Sequence, residues 1–229
     1  LEMANYLSKH QTSRGVIDPL VKKPIKNSYG NSFYALLSAS LFIKTKERKW
    51  LKRAIISLVA ELNYINDRKK IKGVFRWEFK NYALIKCYFI LEKDLDIQLK
   101  KDIKKRIDSW INLCSFQTNW IAMRSLNYFL RYSKFKRKRD LIRANIELNL
   151  LLNRQTKEGF FPDDIESNSF QYHSYTLSLI YQILLITKDP RLKSAFMKGV
   201  EFISKYINPE GNFCYYGRGQ EQIFGYASL

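Results

Sequence analysis

The chain has 229 residues, 46% of them hydrophobic, which is enough for a sizeable core and excludes a disordered protein. Its formal net charge of +19, from 40 Lys and Arg against 21 Asp and Glu, creates a field that attracts polyanions: nucleic acid, anionic membrane or acidic glycan. No apolar run reaches the ~18–20 residues of a membrane span, and three widely spaced cysteines (Cys87, Cys114, Cys214) without a CxxC pair point away from a zinc site.

Glycine (9) and proline (5) are scarce, which favours long helices over a many-stranded sheet. Residues 1–30, with Pro19 and Pro24, are expected to be an irregular lead-in. Helical periodicity then comes in pairs. The first pair runs over Phe33–Ile43 and Trp50–Ile65. Its first helix has Phe33, Leu36, Leu37, Ser40 and Leu41 on one face; its second has Leu51, Ala54, Ile55, Leu58, Val59 and Leu62. A basic turn over Lys69–Gly73 leads to Trp77–Leu91 and Ile97–Leu113. Asn119–Tyr132 with Arg139–Leu152, and Ser169–Ile186 with Leu192–Ile207, complete four pairs. Asp189-Pro190 marks the start of the last helix. Gln222–Leu229 reads as the opening of a further helix, so the chain is expected to stop short of a complete domain.

The loops after the outer helices resemble one another. Gln155-Thr156-Lys157-Glu158-Gly159-Phe160 parallels Asn208-Pro209-Glu210-Gly211-Asn212-Phe213, with Gly159 and Gly211 52 positions apart. A repeat of about 40–50 residues indicates stacked helical hairpins. The expected fold class is therefore all-α, an incomplete α/α toroid over residues 31–229 with little or no β structure; an open α-solenoid is the alternative.

Three stretches could carry chemistry. Asp163-Asp164-Ile165-Glu166-Ser167-Asn168-Ser169-Phe170-Gln171-Tyr172-His173-Ser174-Tyr175 gathers carboxylates, tyrosines and one of two histidines at a helix start, where acid and base groups can act together. Its plain structural alternatives are caps at Asp164 or Ser169, a core Tyr172 and a hydrogen-bonded core His173. In Gln117–Arg124, Asn119 is either a helix cap or a site residue, and Trp120 either core or a platform for a sugar ring. In Tyr215-Tyr216-Gly217-Arg218-Gly219, two glycines expose Arg218, whose fork suits carboxylate or sulfate.

These stretches, in this order, resemble the heparinase II/III family of polysaccharide lyases. The resemblance covers roughly residues 115–225 and rests on the inner-helix Asn119, the Glu166-containing turn into Ser169-Phe170-Gln171-Tyr172-His173, and Pro209-Glu210-Gly211 followed by Gly217-Arg218. The sequence departs from the family at Trp120, where a His usually follows the Asn, and at Arg218, where an Asp usually follows the Gly. Family members usually carry a further β-rich domain as well.

The resemblance implies β-elimination on a uronate-containing acidic polysaccharide, without metal or other cofactor. Asn119, Tyr172 and His173 are the implied catalytic residues. Trp120, Arg124, Glu166, Gln171, Tyr175, Tyr216 and Arg218 are the implied substrate-binding residues. A glycoside hydrolase on the same toroid would instead need two carboxylates about 5–10 Å apart, with Glu78 a candidate partner for the Asp163–Glu166 group. A non-catalytic helical-repeat protein would use Arg68–Lys70 and Lys134–Arg139 to grip acidic glycan or, as a second choice, nucleic acid. Leu1-Glu2-Met3-Ala4 is no signal peptide. The compartment is expected to be periplasmic or extracellular if a leader has been removed from upstream, and cytoplasmic otherwise.

Overall fold

A computed structural model describes residues 1–13, 15, 30–66, 77–108, 116–163 and 168–213. The fold is all-α. Among the described residues the helices are α1 (Glu2–Lys9), α2 (Gly30–Thr45), α3 (Arg48–Asn66), α4 (Trp77–Leu91), α5 (Ile97–Asp108), α6 (Thr118–Phe135), α7 (Lys138–Leu152), α8 (Phe170–Thr187) and α9 (Pro190–Ser204). An isolated antiparallel bridge joins Ile207 to Phe213. None of these helices is long and apolar enough to cross a membrane. The elements gather into two compact units, Leu1–Leu113 and Cys114–Leu229.

In the first unit, α2 packs against both α3 and α4, and α4 continues into the hairpin with α5. The lead-in expected to be irregular instead begins with α1, a helix too short and polar to be stable by itself. Long-range hydrogen bonds to α3 hold this region in place: Arg53 Nη1 donates to the Ser8 carbonyl at 3.0 Å and to Gln11 Oε1 at 2.9 Å, and Gln11 Nε2 donates to Ser57 Oγ at 2.9 Å.

The buried face of α2 also differs from expectation. The structure buries Ser32, Tyr34, Ala35, Ser38 and Ala39, and leaves Ser40 exposed. Apolar residues occur all round α2, so hydrophobicity alone does not choose a face; small residues win because they let two neighbouring helices approach closely. On α3, Leu51, Ala54, Leu58 and Leu62 are buried as expected, while Val59 is 40% exposed. Cys87 is fully buried, and desolvation pushes its thiol pKa up, as suits a core thiol.

The second unit is a structural repeat with an offset of 52 residues. Helices α6 and α8 both have 18 residues and α7 and α9 both have 15, and each pair starts 52 positions apart. The turns obey the same offset. Lys136 and Lys188 both take left-handed backbone (φ 54° and 58°) after α6 and α8, and each amide closes on the carbonyl four residues back. The loops after α7 and α9 are also matched. Thr156 N–H donates to the Phe160 carbonyl at 2.8 Å and Gly159 N–H to the Thr156 carbonyl at 3.1 Å; Asn208 and Gly211 make the equivalent bonds at 2.9 Å each. Gly159 and Gly211 both have positive φ, 102° and 82°. Helix α6 packs on both α7 and α8, and α8 on α9, so α6 and α8 are the central pair of this unit.

Candidate functional site

Helices α6 and α8 of the second unit pack on one another, and the start of α6 is bonded to Pro162 and Asp163 of the chain before α8. The backbone of Gln117 enters α6 extended, without a side-chain cap. Thr118 supplies the anchor instead: its amide donates to the Asp163 carbonyl at 3.1 Å, and its hydroxyl donates to the Pro162 carbonyl. Asn119 is therefore the second residue of α6 and caps nothing. It is 3% exposed, and its Oδ1 is buried with no hydrogen-bond partner among the described residues. A buried amide oxygen in that state is costly unless something else meets it.

Ser169 caps α8, its hydroxyl accepting the Tyr172 amide at 3.3 Å. The repeat puts Gln171 in α8 at the position Asn119 holds in α6, and Gln171 is 1% exposed. Tyr172 and Tyr175 are half-buried. The two carboxamides thus hold equivalent places near the N-termini of α6 and α8, and Tyr172 follows Gln171 directly in the chain. Sequence reasoning named Asn119 and Gln171 but missed their equivalence; applying the 52-residue glycine spacing to the helices would have found it. It also missed Thr118 and the backbone of Asp163 as the tether between the start of α6 and the chain before α8.

His173 has a different role from the proton-transfer one expected of it. Its ring is fully buried, and both nitrogens are engaged: Nδ1 accepts the Phe161 amide at 3.0 Å, and Nε2 lies 3.1 Å from the Gly199 carbonyl, to which it donates. Phe160, Phe161 and Phe202 surround it with ring centroids at 5.2, 6.0 and 5.4 Å. Burial holds its pKa down at about 4, so it is neutral at ordinary pH. The ring joins the pre-α8 loop to α9, and with no free nitrogen it has none to offer a sugar.

Arg124 is likewise committed. Its guanidinium lies 3.0 Å from the Glu147 carboxylate of α7, both side chains being largely buried. Trp120 is 7% exposed and belongs to the core, so it offers no open face for stacking. The aromatic richness of this unit is spent in the same way, on a cluster of Phe160, Phe170, Phe202 and Phe213 around Ile203. Glu166, Tyr216 and Arg218 lie outside the described residues. Among those described, no group of three or more His, Cys, Asp and Glu side chains is placed to hold a metal ion.

Among solved structures, the chain is similar to the Lin0763 protein from Listeria innocua. The identity is 14% and the TM-score 0.65, over 94% of this chain and 72% of that one. A likeness at that identity concerns the fold alone. No protein-family model and no curated protein matches the chain.

Proposed function

We propose that this chain is the helical part of a polysaccharide lyase that cleaves a uronate-containing acidic polysaccharide by β-elimination, with Asn119 and Tyr172 as its working groups. The observation that carries the reading is Asn119 itself: a buried amide with an unmet oxygen, on a helix start tethered to the segment that leads into Tyr172. Packing and capping leave that oxygen without a hydrogen-bond partner among the described residues.

In the reaction, Nδ2 of Asn119 donates to the uronate carboxylate and so lowers the cost of the enolate-like intermediate, while its unmet Oδ1 accepts from a sugar hydroxyl. A base removes the C5 proton, the C4–oxygen bond breaks, a C4–C5 double bond forms, and the departing oxygen takes up a proton. Tyr172 serves at the proton-transfer positions. A phenol with pKa about 10 needs positive potential to act as a base, and the +19 chain and two helix N-termini supply it. His173 has no part at the sugar; it fixes the loop on which Thr118 is anchored.

The test incubates the chain with heparan-type chains, hyaluronate, alginate and pectate, and follows the ultraviolet absorbance of the unsaturated product. We expect absorbance to rise with one of them, to vanish in Tyr172→Phe and to fall at least tenfold in Asn119→Ala. Because the Asn119 oxygen is unmet, Asn119→Ala should cost less than about 1 kcal/mol of stability. A rise that Tyr172→Phe leaves intact removes the assignment.

The engagement of His173 and Arg124 favours a second reading, binding of acidic glycan without cleavage. Calorimetric binding lost in Asn119→Ala, with no absorbance change in the unaltered chain, selects that reading.

A further inference from the structure

Helix α7 carries a row of aliphatic side chains on its solvent face. Ile142, Ile146 and Leu150 follow one another at four-residue spacing on its solvent face and are 61%, 50% and 49% exposed. Lys138, Arg139 and Arg143 are exposed among them, and Asn149 and Asn153 complete the face. Both acids of α7 point the other way. Asp140 pairs with Arg131 at 2.8 Å and Glu147 with Arg124 at 3.0 Å, so the inward side is charge-matched and the outward side carries cations only. The adjoining turn adds exposed Lys134 and Lys136.

The fold does not require an aliphatic residue at the first two of these positions; the third, Leu150, corresponds to Phe202, which packs in the aromatic cluster of α9. In the matched helix α9, the positions equivalent to Ile142 and Ile146 hold Ser194 and Lys198, both exposed.

We propose that this face of α7 docks the protein on an anionic lipid surface, the helix lying in the interface plane. Aliphatic side chains enter the headgroup–acyl boundary while lysine and arginine beside them meet lipid phosphates. Other occupants fit less well. A second copy using the same patch would bring like charges face to face across a two-fold axis. A soluble polyanion would satisfy the cations and leave the three aliphatic side chains in water. The proposal is independent of the glycan reading, because the lipid-facing side of α7 is opposite the side that packs on α6.

The test is co-sedimentation of the full chain with vesicles of phosphatidylcholine alone and of an equal mixture with phosphatidylglycerol. The chain should partition at least tenfold more strongly to the anionic vesicles. The triple variant Ile142→Ser, Ile146→Ser, Leu150→Ser should lose at least tenfold of that partitioning with its circular dichroism and melting unchanged. Arg139→Gln and Arg143→Gln should each lower it about fivefold, and Asn119→Ala should leave it as it was. Equal or absent partitioning overturns the proposal. So does binding that the aliphatic triple variant retains in full, which would be the general field alone. Concentration-dependent dimerisation abolished by the same variant would assign the face to a second copy instead.

Discussion

The Phe161 amide donates to Nδ1 of His173 at 3.0 Å, and this bond fixes which ring nitrogen carries the proton. An amide can only donate, so Nδ1 is the unprotonated acceptor and Nε2–H is left to donate to the Gly199 carbonyl at 3.1 Å. One side chain thereby satisfies two buried backbone groups from two different elements.

Replacing His173 with Leu should leave both backbone groups unmet in an apolar pocket. At about 1–3 kcal/mol for each orphaned group, the loss should come to about 3 kcal/mol. Urea denaturation followed by circular dichroism measures it. A loss below about 1 kcal/mol would mean that water or a backbone shift replaces the ring.

The same ring makes stability depend on pH. Its pKa is held at about 4 in the folded protein by burial, against an ordinary value of 6.5. Between those values the unfolded chain binds the extra proton and the folded chain does not, so acid favours unfolding. The contribution is complete above about pH 6.5, falls as pH drops, and levels off below about pH 4. Its full size is on the order of 3 kcal/mol. Denaturation midpoints from pH 7 to 4 should fall more in the unaltered protein than in His173→Gln; parallel curves would refute the link.

Gly159 and Gly211 hold the same place in the two repeats but face different surroundings. A Cβ at Gly159 would lie 2.3 Å from the Lys198 carbonyl oxygen, whereas one at Gly211 meets nothing within 4 Å. Gly211→Ala should cost only its left-handed backbone, about 1 kcal/mol. Gly159→Ala must also push the loop off α9, and should cost at least twice as much. Thermal melts of the two variants provide the comparison; equal shifts would show that the loop yields freely.

In the first unit, Lys80 and Glu61 form an ion pair at 2.8 Å with each side chain only 1% exposed. Lys80→Met alone should leave the buried carboxylate with Arg106 as its remaining nearby cation and cost up to about 3–5 kcal/mol, and the further change Glu61→Leu should recover part of that loss. A double-mutant cycle read by denaturant midpoints tests this coupling. Additive losses would contradict it.

Much of the helical architecture is legible in the sequence. Trp77–Leu91 matches its periodicity end to end, Asp189-Pro190 starts α9 with the Asp carboxylate accepting the Arg191 amide at 2.8 Å, and the Gly159–Gly211 spacing announces the repeat. Those features are local. Side-chain spacing, a fixed proline φ and glycine at positive φ act within one turn of chain, so they can be read without knowing the fold.

Partners distant in the chain decided the rest. The tie to Arg53 holds Gln11 just after α1, and flanking helices choose the small-residue face of α2. Lysines, where glycine is the usual choice, take left-handed turns at Lys46, Lys136 and Lys188 because the next helix must begin two residues later. At the candidate site, the sequence by itself determined which polar groups stand at the starts of α6 and α8. Only the tertiary structure decided that Asn119 is left with an unmet oxygen, while Arg124 goes to Glu147 and His173 to Phe161 and Gly199. The physical reason is that a hydrogen bond or ion pair depends on where its partner lies in space, and for His173 those partners come from 12 and 26 residues away in opposite directions along the chain.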